Sequence, residues 1–566
     1  MTSRDPQSPT AAPATPVARL DRRRLLQGAA ALSAGVAPAL AGVAATAPLA
    51  ARTARAQGDP TTLTIGLNGS PSDLDPHSQY DYRSVAAMRG MYEGLIVLKD
   101  SFTDQYEGLI AESWEANADM SVWTFHLREG VTFQDGSPCD AAAVVASYTR
   151  LLTMQKGAWN VIGRFAPDPA QITAPDARTV VFDLKKPQPL FESAMGGTYG
   201  PQVVNATVAM AHEVDGDFGN AWMMTTPEGT GTGPYRITEF TNGQQTILEK
   251  YDGYWGGWEG DHFEAIVIRT INETQTLRQA LEHGEVDLAD RLSLPAADAK
   301  QLESNPDLRV DGETSTEVVY YAMTEYGPLA SVEARQAMCY AFPYQEVIEG
   351  VYEGYATQPR GAVAEKVRGF DEGTFQYTTD LAKAKALLAT AGVAEGTELT
   401  LMTGEGATSV AIGTLFQANL AEIGIALTIQ QVDSATSTGT FYGDSPVEER
   451  PSFFDWSWWP DYNDTWNHLD PQVRCKPEKG SSNGGFYCNE QVDALLDAAR
   501  DASTTPEYQD ACSQLQELVS QDPPAVYFVS PQWTTTLRAD VQGFFFNPIN
   551  LGTYDYHKMY RGALTT

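Results

Sequence analysis

The sequence predicts an α/β protein built from more than one packed unit. Its 566 residues exceed what a single hydrophobic core ordinarily organises. Apolar residues recur with period two and then with period 3.6 along most of the chain, so strands and helices are interleaved. One stretch also reads as a complete strand, helix, strand unit of the kind that makes a parallel pair. With 42% hydrophobic, 20% charged and 10% aromatic residues, the composition is that of a folded chain.

Residues 1–56 differ from the rest. They carry seven Arg and two acids, and an uncharged Ala/Gly-rich run extends from Leu25 to Ala51. A basic start, a weakly apolar middle and small residues at Ala54-Arg55-Ala56 form the layout of an export signal, whose removal would leave Gln57 first. Asp21-Arg22-Arg23-Arg24-Leu25-Leu26 fits the twin-arginine pattern, read by a receptor as an address for folded protein. As a membrane anchor the run is poor, since it is rich in Ala and Gly and holds Pro38 and Pro48. No later stretch approaches about 20 consecutive apolar residues, so a free periplasmic protein, expected to be a monomer, fits best.

The mature chain begins with an alternating strand over 61–67, closed by Gly69-Ser70-Pro71. A helical pattern is expected from Ser84 to Leu95, a strand at 123–127, and a helix capped by Asp140. Strands are expected at 179–184, 235–238, 246–249 and 265–268, and helices at 273–283, 331–342, 379–391, 409–423 and 490–500. Glu398–Met402, the 409–423 helix and Ile425–Ile429 make the βαβ unit.

Several function classes are unfavoured. Beyond residue 56 there remain 31 basic and 71 acidic residues, a net charge of −40 with His neutral, so no nucleic-acid partner is expected. A secreted hydrolase would need a nucleophile with its base, a metal centre or paired carboxylates. Neither Gly-x-Ser-x-Gly nor His-Glu-x-x-His occurs, since His212-Glu213 is followed by Val-Asp-Gly. The seven His show no metal-ligand spacing with Cys, so neither a metal nor a cofactor is expected. Cys475 and Cys488 enclose a polar loop and are expected to pair in an oxidising compartment, while Cys139, Cys339 and Cys512 fit as small core residues.

Ordered blocks across the mature chain resemble the extracellular solute-binding proteins of family 5, the dipeptide, oligopeptide and nickel receptors of ABC importers. They include Gly108–Glu115, Thr124–Gly136, Gly231-Thr232-Gly233-Pro234-Tyr235, Tyr251–Gly257, Ala280–Asp287, Val332–Ala337 and Ala382–Leu388. Most of these blocks are scaffold. The resemblance implies a two-lobed periplasmic binding protein of the cluster C type with hinge-linked lobes. Lobe I would comprise 57–105, 228–312 and 530–566, with 106–227 as an inserted subdomain, and lobe II would comprise 313–529.

The resemblance also implies a site and a role. In peptide-binding relatives an Asp three residues after a Trp holds the ligand's α-ammonium, and here Asp461 follows Trp458 at that spacing. Trp458, Trp459 and Tyr462 would wall the pocket and could add cation–π attraction. Ser70 and Pro71 match a loop that meets the ligand in relatives. Dipeptide receptors place a carboxylate-binding Arg just after the strand matching Leu399 to Met402, where this chain has Thr403-Gly404-Glu405-Gly406. The expected role is capture of a peptide or related solute by hinge closure and delivery to an inner-membrane ABC permease. A non-peptide cationic solute or a metal chelate is the alternative ligand.

Overall fold

The alternating pattern of Thr62–Leu67 folds as a strand buried along its whole length, at the centre of a mixed sheet. The computed structural model describes residues 59–562, except 201, 444, 476–482, 503, 551 and 553. The export-signal assignment, 1–56, lies outside the described residues, as do most of the residues between the two paired cysteines. No helix of the described residues is long and apolar enough to cross a membrane.

Among the described residues twelve strands join in one sheet, and Ala525–Arg538 ties its two halves together. On one side its Ala525–Val529 part pairs antiparallel with Val318–Met323. That half continues through Phe453–Trp458 and Glu398–Gly404 to Ala426–Val432. On the other side Gln532–Arg538 pairs with Leu308–Thr314, and Thr535–Leu537 with Leu288–Asp290. That half continues through Thr62–Leu67 and Ala265–Thr270 to the hairpin Tyr235–Thr241 and Gln245–Lys250.

The chain passes between the halves at 315–317 and again at Ser530 and Pro531. The two passages are tied together, since the Ser315 hydroxyl donates to the Pro531 carbonyl at 2.5 Å. Pro531 falls between the stretches that pair with Val318–Met323 and Leu308–Thr314 and faces Ala356 of the short strand Ala356–Thr357. There the neighbouring Gln532 N–H makes the bond, to the Tyr355 carbonyl at 2.9 Å, so the missing proline N–H is not called on.

The expected βαβ unit forms. Glu398–Gly404 and Ala426–Val432 pair in parallel over seven residues, linked by the helix Ala407–Glu422. Asp140 caps Ala141–Met154, its side chain accepting from the Ala143 N–H at 2.9 Å. The 106–227 segment holds a four-stranded antiparallel sheet, in which Val122–Leu127 and Thr179–Asp183 alternate buried and half-buried residues. Phe125 meets Phe182 edge to face at 5.6 Å in its core.

One expected element is shorter than its pattern suggested. The 84–95 run is helical only over Tyr82–Met88, and Ile96–Leu98 turns into a strand. Leu248, Tyr235 and Tyr556 crowd Gly90 so closely that a Cβ there would lie 3.0–3.2 Å from each. The apolar run is buried because it is wrapped on all sides, so its periodicity carries little information on helix length.

Cys475 and Cys488 form a disulfide with Cα atoms 4.3 Å apart. Cys139, Cys339 and Cys512 are free and buried.

Candidate functional site

A cavity of about 950 Å³ opens where the carboxyl ends of strands from both halves of the sheet converge. Strand ends are the natural place for it, because loops there are free of ladder hydrogen bonds and can carry polar groups. The loop after Thr62–Leu67 contributes Tyr80 and Asp81, and the loop after Leu288–Asp290 contributes Arg291 and Leu292. From the other half come Glu405 after Glu398–Gly404, Asp433 after Ala426–Val432, and Trp459 and Asp461 after Phe453–Trp458.

Asp461 is 6% exposed. The Tyr80 hydroxyl donates to its Oδ1, and the Asn467 side-chain amide donates to Oδ2 at 3.3 Å. Asn467 also accepts from the Asp461 backbone N–H at 2.7 Å, which fixes the loop. Burial pushes the Asp461 carboxyl above the ordinary carboxylate value, against the hydrogen bonds from Tyr80 and Asn467 and the more distant charge of Arg164. Among the described residues no Lys or Arg forms an ion pair with it. The 106–227 segment backs this loop closely: a Cβ on Gly197 would sit 2.7 Å from the Asp461 carbonyl oxygen.

Trp458 and Trp459 line the cavity with Asp461. The Trp458 indole N–H is enclosed and meets no protein acceptor. Tyr462 is not on the wall. Its ring is fully buried and packs edge to face on Phe165 at 5.9 Å, within the core shared with the 106–227 segment. Ser70 and Pro71 are also absent from the wall. Pro71 is buried and Ser70 half-buried, and the same loop reaches the cavity ten residues later, at Tyr80 and Asp81.

Three wall residues carry chemistry that the sequence reading did not single out. Arg291 pairs with Glu317, which lies at the first passage between the sheet halves, and its guanidinium lies 5.5 Å from the ring centroid of Trp533, just past the second. Burial lowers its tendency to hold a proton, against the nearby charge of Asp290. Asp455 stands inside the strand Phe453–Trp458, accepting from the Thr403 hydroxyl at 2.7 Å. The expected lack of a cation in the Thr403–Gly406 stretch holds for that loop alone, since Arg291 enters from the other half of the sheet. Among the described residues no group of three or more His, Cys, Asp or Glu could hold a metal ion.

The model of the bacterial extracellular solute-binding proteins, family 5 Middle, matches residues 105–480. The chain belongs to that family. It is 28% identical over 495 residues to the Escherichia coli (strain K12) protein named "Probable D,D-dipeptide-binding periplasmic protein DdpA", covering 86% of this chain and 92% of that one. The glutathione-binding protein GsiB of Salmonella typhi is 25% identical over 492 residues, again covering 86% and 92%. In fold, the chain is similar to the periplasmic binding protein DppA of Helicobacter pylori, solved with the peptide STSA, with a TM-score of 0.77 at 24% identity over 91% of this chain and 100% of that one. The family fold is the two-lobed periplasmic binding protein, and its members are binding proteins of ABC importers.

Proposed function

We propose that the protein captures a peptide, or a closely related amine-bearing solute, in the cavity between the sheet halves and delivers it to an ABC permease. The observation that carries this reading is Asp461: a buried carboxylate on the cavity wall, held by Tyr80 and Asn467, with no ion-pair partner among the described residues. A ligand ammonium would supply the missing charge, and a charge-assisted hydrogen bond contributes about 1.5–3 kcal/mol net. Trp458 and Trp459 provide flat walls beside it, and the unpartnered Trp458 N–H suits a ligand carbonyl.

The lobes of this reading are 57–105 with 228–312 and 530–566, and 313–529, with 106–227 as the inserted subdomain. They would move about the passages at 315–317 and 530–531, and ligand contacts to both would favour the closed state. Twin-arginine export and a monomeric state belong to the same proposal. A non-peptide cationic solute is a second reading, favoured by the absence of a cation in Thr403–Gly406.

Asp461→Ala is expected to weaken binding of any ligand with a free amine by about ten-fold or more, measured by calorimetric titration. An unchanged affinity would remove Asp461 from the site. Native mass spectrometry of the gently purified protein reads the rest together: a co-purifying peptide mixture, a mature chain starting at Gln57, and a single-chain mass. One discrete non-peptide mass would overturn the peptide assignment.

A further inference from the structure

The cavity wall carries an excess of carboxylates whose charges are not all accounted for. Asp81, Glu317, Glu405, Asp433, Asp455 and Asp461 line it, against Arg291 as the one lining Lys or Arg among the described residues. Three of the six have plain local duties. Glu317 pairs with Arg291. Asp81 and Asp433 cap the helices Tyr82–Met88 and Ser434–Phe441, accepting from the N–H groups of Ser84 and Thr436. Glu405 is solvent-exposed and is charged at little cost. That leaves Asp461, assigned above to an ammonium, and Asp455.

Asp455 is the more unusual of the two because of where it stands. It lies in the middle of a strand, opposite Tyr321 on one neighbour and beside the end of Glu398–Gly404 on the other. Strand alternation puts it on the same face as Phe453, which is fully buried in the core around Phe416 and Tyr321. It receives the Thr403 hydroxyl at 2.7 Å and the hydroxyl of Ser409, in the first turn of Ala407–Glu422. Two neutral donors satisfy part of a carboxylate's acceptor capacity and none of its charge. Asp455 is half-buried where it meets the cavity, and among the described residues no Lys, Arg or His forms an ion pair with it, so a ligand that covered it without a countercharge would leave the carboxylate desolvated and unpaired. The start of Ala407–Glu422 offers a fractional positive field, short of a full countercharge. Burial accordingly pushes the Asp455 carboxyl upward, opposed by its two hydroxyl donors.

We propose that Asp455 is a second cation-binding group of this cavity, and that the preferred ligand is a peptide with a free amino terminus at Asp461 and a Lys or Arg side chain at Asp455. This rests on the reading of Asp461 given above. Trp456 and Tyr442 also line this cavity, Trp456 stacked on Phe441 at 4.1 Å and Tyr442 edge-on to Trp456 at 5.5 Å. Alternation puts Trp456 on the strand face opposite Asp455, so these rings bound the cavity beside the Asp455 subsite and the side chain held there is selected by its charge.

The test uses the full mature protein, stripped of co-purified ligand, and calorimetric titration with tripeptides that carry lysine at each position in turn, each matched by its norleucine counterpart. Norleucine keeps the stem and lacks the ammonium. At one position the lysine peptide is expected to bind about ten-fold or more tightly than its partner, and Asp455→Asn should bring that ratio to about one. The wild-type ratio should also fall as pH is lowered through the titration of the Asp455 carboxyl, because that group must be ionised to discriminate; this arm needs no variant and stands even if Asp455→Asn fails to fold. Equal binding of every matched pair by wild type would overturn the second site while leaving the amine anchor at Asp461 in place. Binding of none of the peptides would overturn the peptide reading and this inference with it.

Discussion

Replacing Arg150 by Met should destabilise the protein by about 3–5 kcal/mol, the penalty for leaving a buried charge without its partner. Arg150 and Asp75 are 1% and 0% exposed at their side chains. The guanidinium donates twice to the carboxylate, at 2.5 and 3.0 Å, and also to the Phe218 carbonyl at 2.9 Å. A fourth bond, 3.0 Å to His77 Nδ1, fixes the His77 tautomer: an arginine can only donate, so Nδ1 accepts and Nε2 donates to the Gln202 carbonyl at 3.1 Å. Burial and the Arg150 charge hold His77 down to about 4, so the ring is neutral at physiological pH. Burial alone would raise Asp75, but the hydrogen bonds and charge of Arg150 outweigh it and leave the carboxyl below its ordinary value. The pair's contribution is therefore present above about pH 4 and is lost as pH falls through the lowered value.

The pair joins the 59–105 region to the 106–227 segment, and the size of the melting shift reports whether these melt together. Roughly 2.1 cal/mol/K per residue over about 500 residues gives an unfolding entropy near 1 kcal/mol/K, so a single transition would drop by about 3–5 °C. If roughly 120 residues melt on their own, the same loss would lower their transition by about 12–20 °C. Scanning calorimetry at pH 7 distinguishes the two. The Arg150→Met, Asp75→Asn double variant should lose less than the two single losses added together, because neither charge is then left alone. A single variant that melts within about 1 °C of wild type would refute the account of this pair.

The remaining predictions concern pH and covalent constraint. Asp464 is fully buried, accepts from Tyr508 at 2.7 Å, and is held at about 6 by burial despite the Arg368 charge and the Tyr508 hydrogen bond. The folded state thus holds this proton more tightly than the unfolded chain does, so stability falls as pH rises from about 4 to about 6 and then levels. Urea denaturation of Asp464→Asn should show a shallower fall over that window, and an unchanged slope would remove Asp464 as its source. Reducing the Cys475–Cys488 disulfide, or replacing both cysteines by Ser, should cost about 3 kcal/mol in the chain-entropy account of a short loop, read as a lower denaturation midpoint. No shift in the midpoint would contradict it.

Much of the fold was legible because its elements obey simple periodicities. Thr62–Leu67, Val122–Leu127 and the parallel pair around Ala407–Glu422 all follow from alternation, a polar or Gly boundary and length. The joint between the sheet halves was not. Ala525–Arg538 contains Pro531 and is buried along almost all of its length, so neither alternation nor composition marks it as one strand serving both halves of the sheet. Its continuity depends on Leu288–Asp290, Leu308–Thr314 and Val318–Met323, all more than 200 residues upstream, which no local pattern encodes.

The site was legible where a charge stood among aromatics at a recognisable spacing, and opaque where it depended on which way a loop turns. Asp461, Trp458 and Trp459 share the cavity wall, whereas Tyr462, one residue on, points into the core against Phe165. A one-residue step in a loop changes the direction of a side chain, and spacing alone does not reveal the direction. Arg291 could have been suspected only by asking which residues follow each strand end, since its neighbours Asp290 and Leu292 give no hint of a wall. Asp455 did carry a signal. A carboxylate between Phe454 and Trp456 in a strand with apolar neighbours conflicts with every local preference for that position. At this position the carboxylate meets the cavity rather than the core, so solvent or a ligand can offset it. That is the reason to look for the missing positive charge in the ligand rather than in the protein.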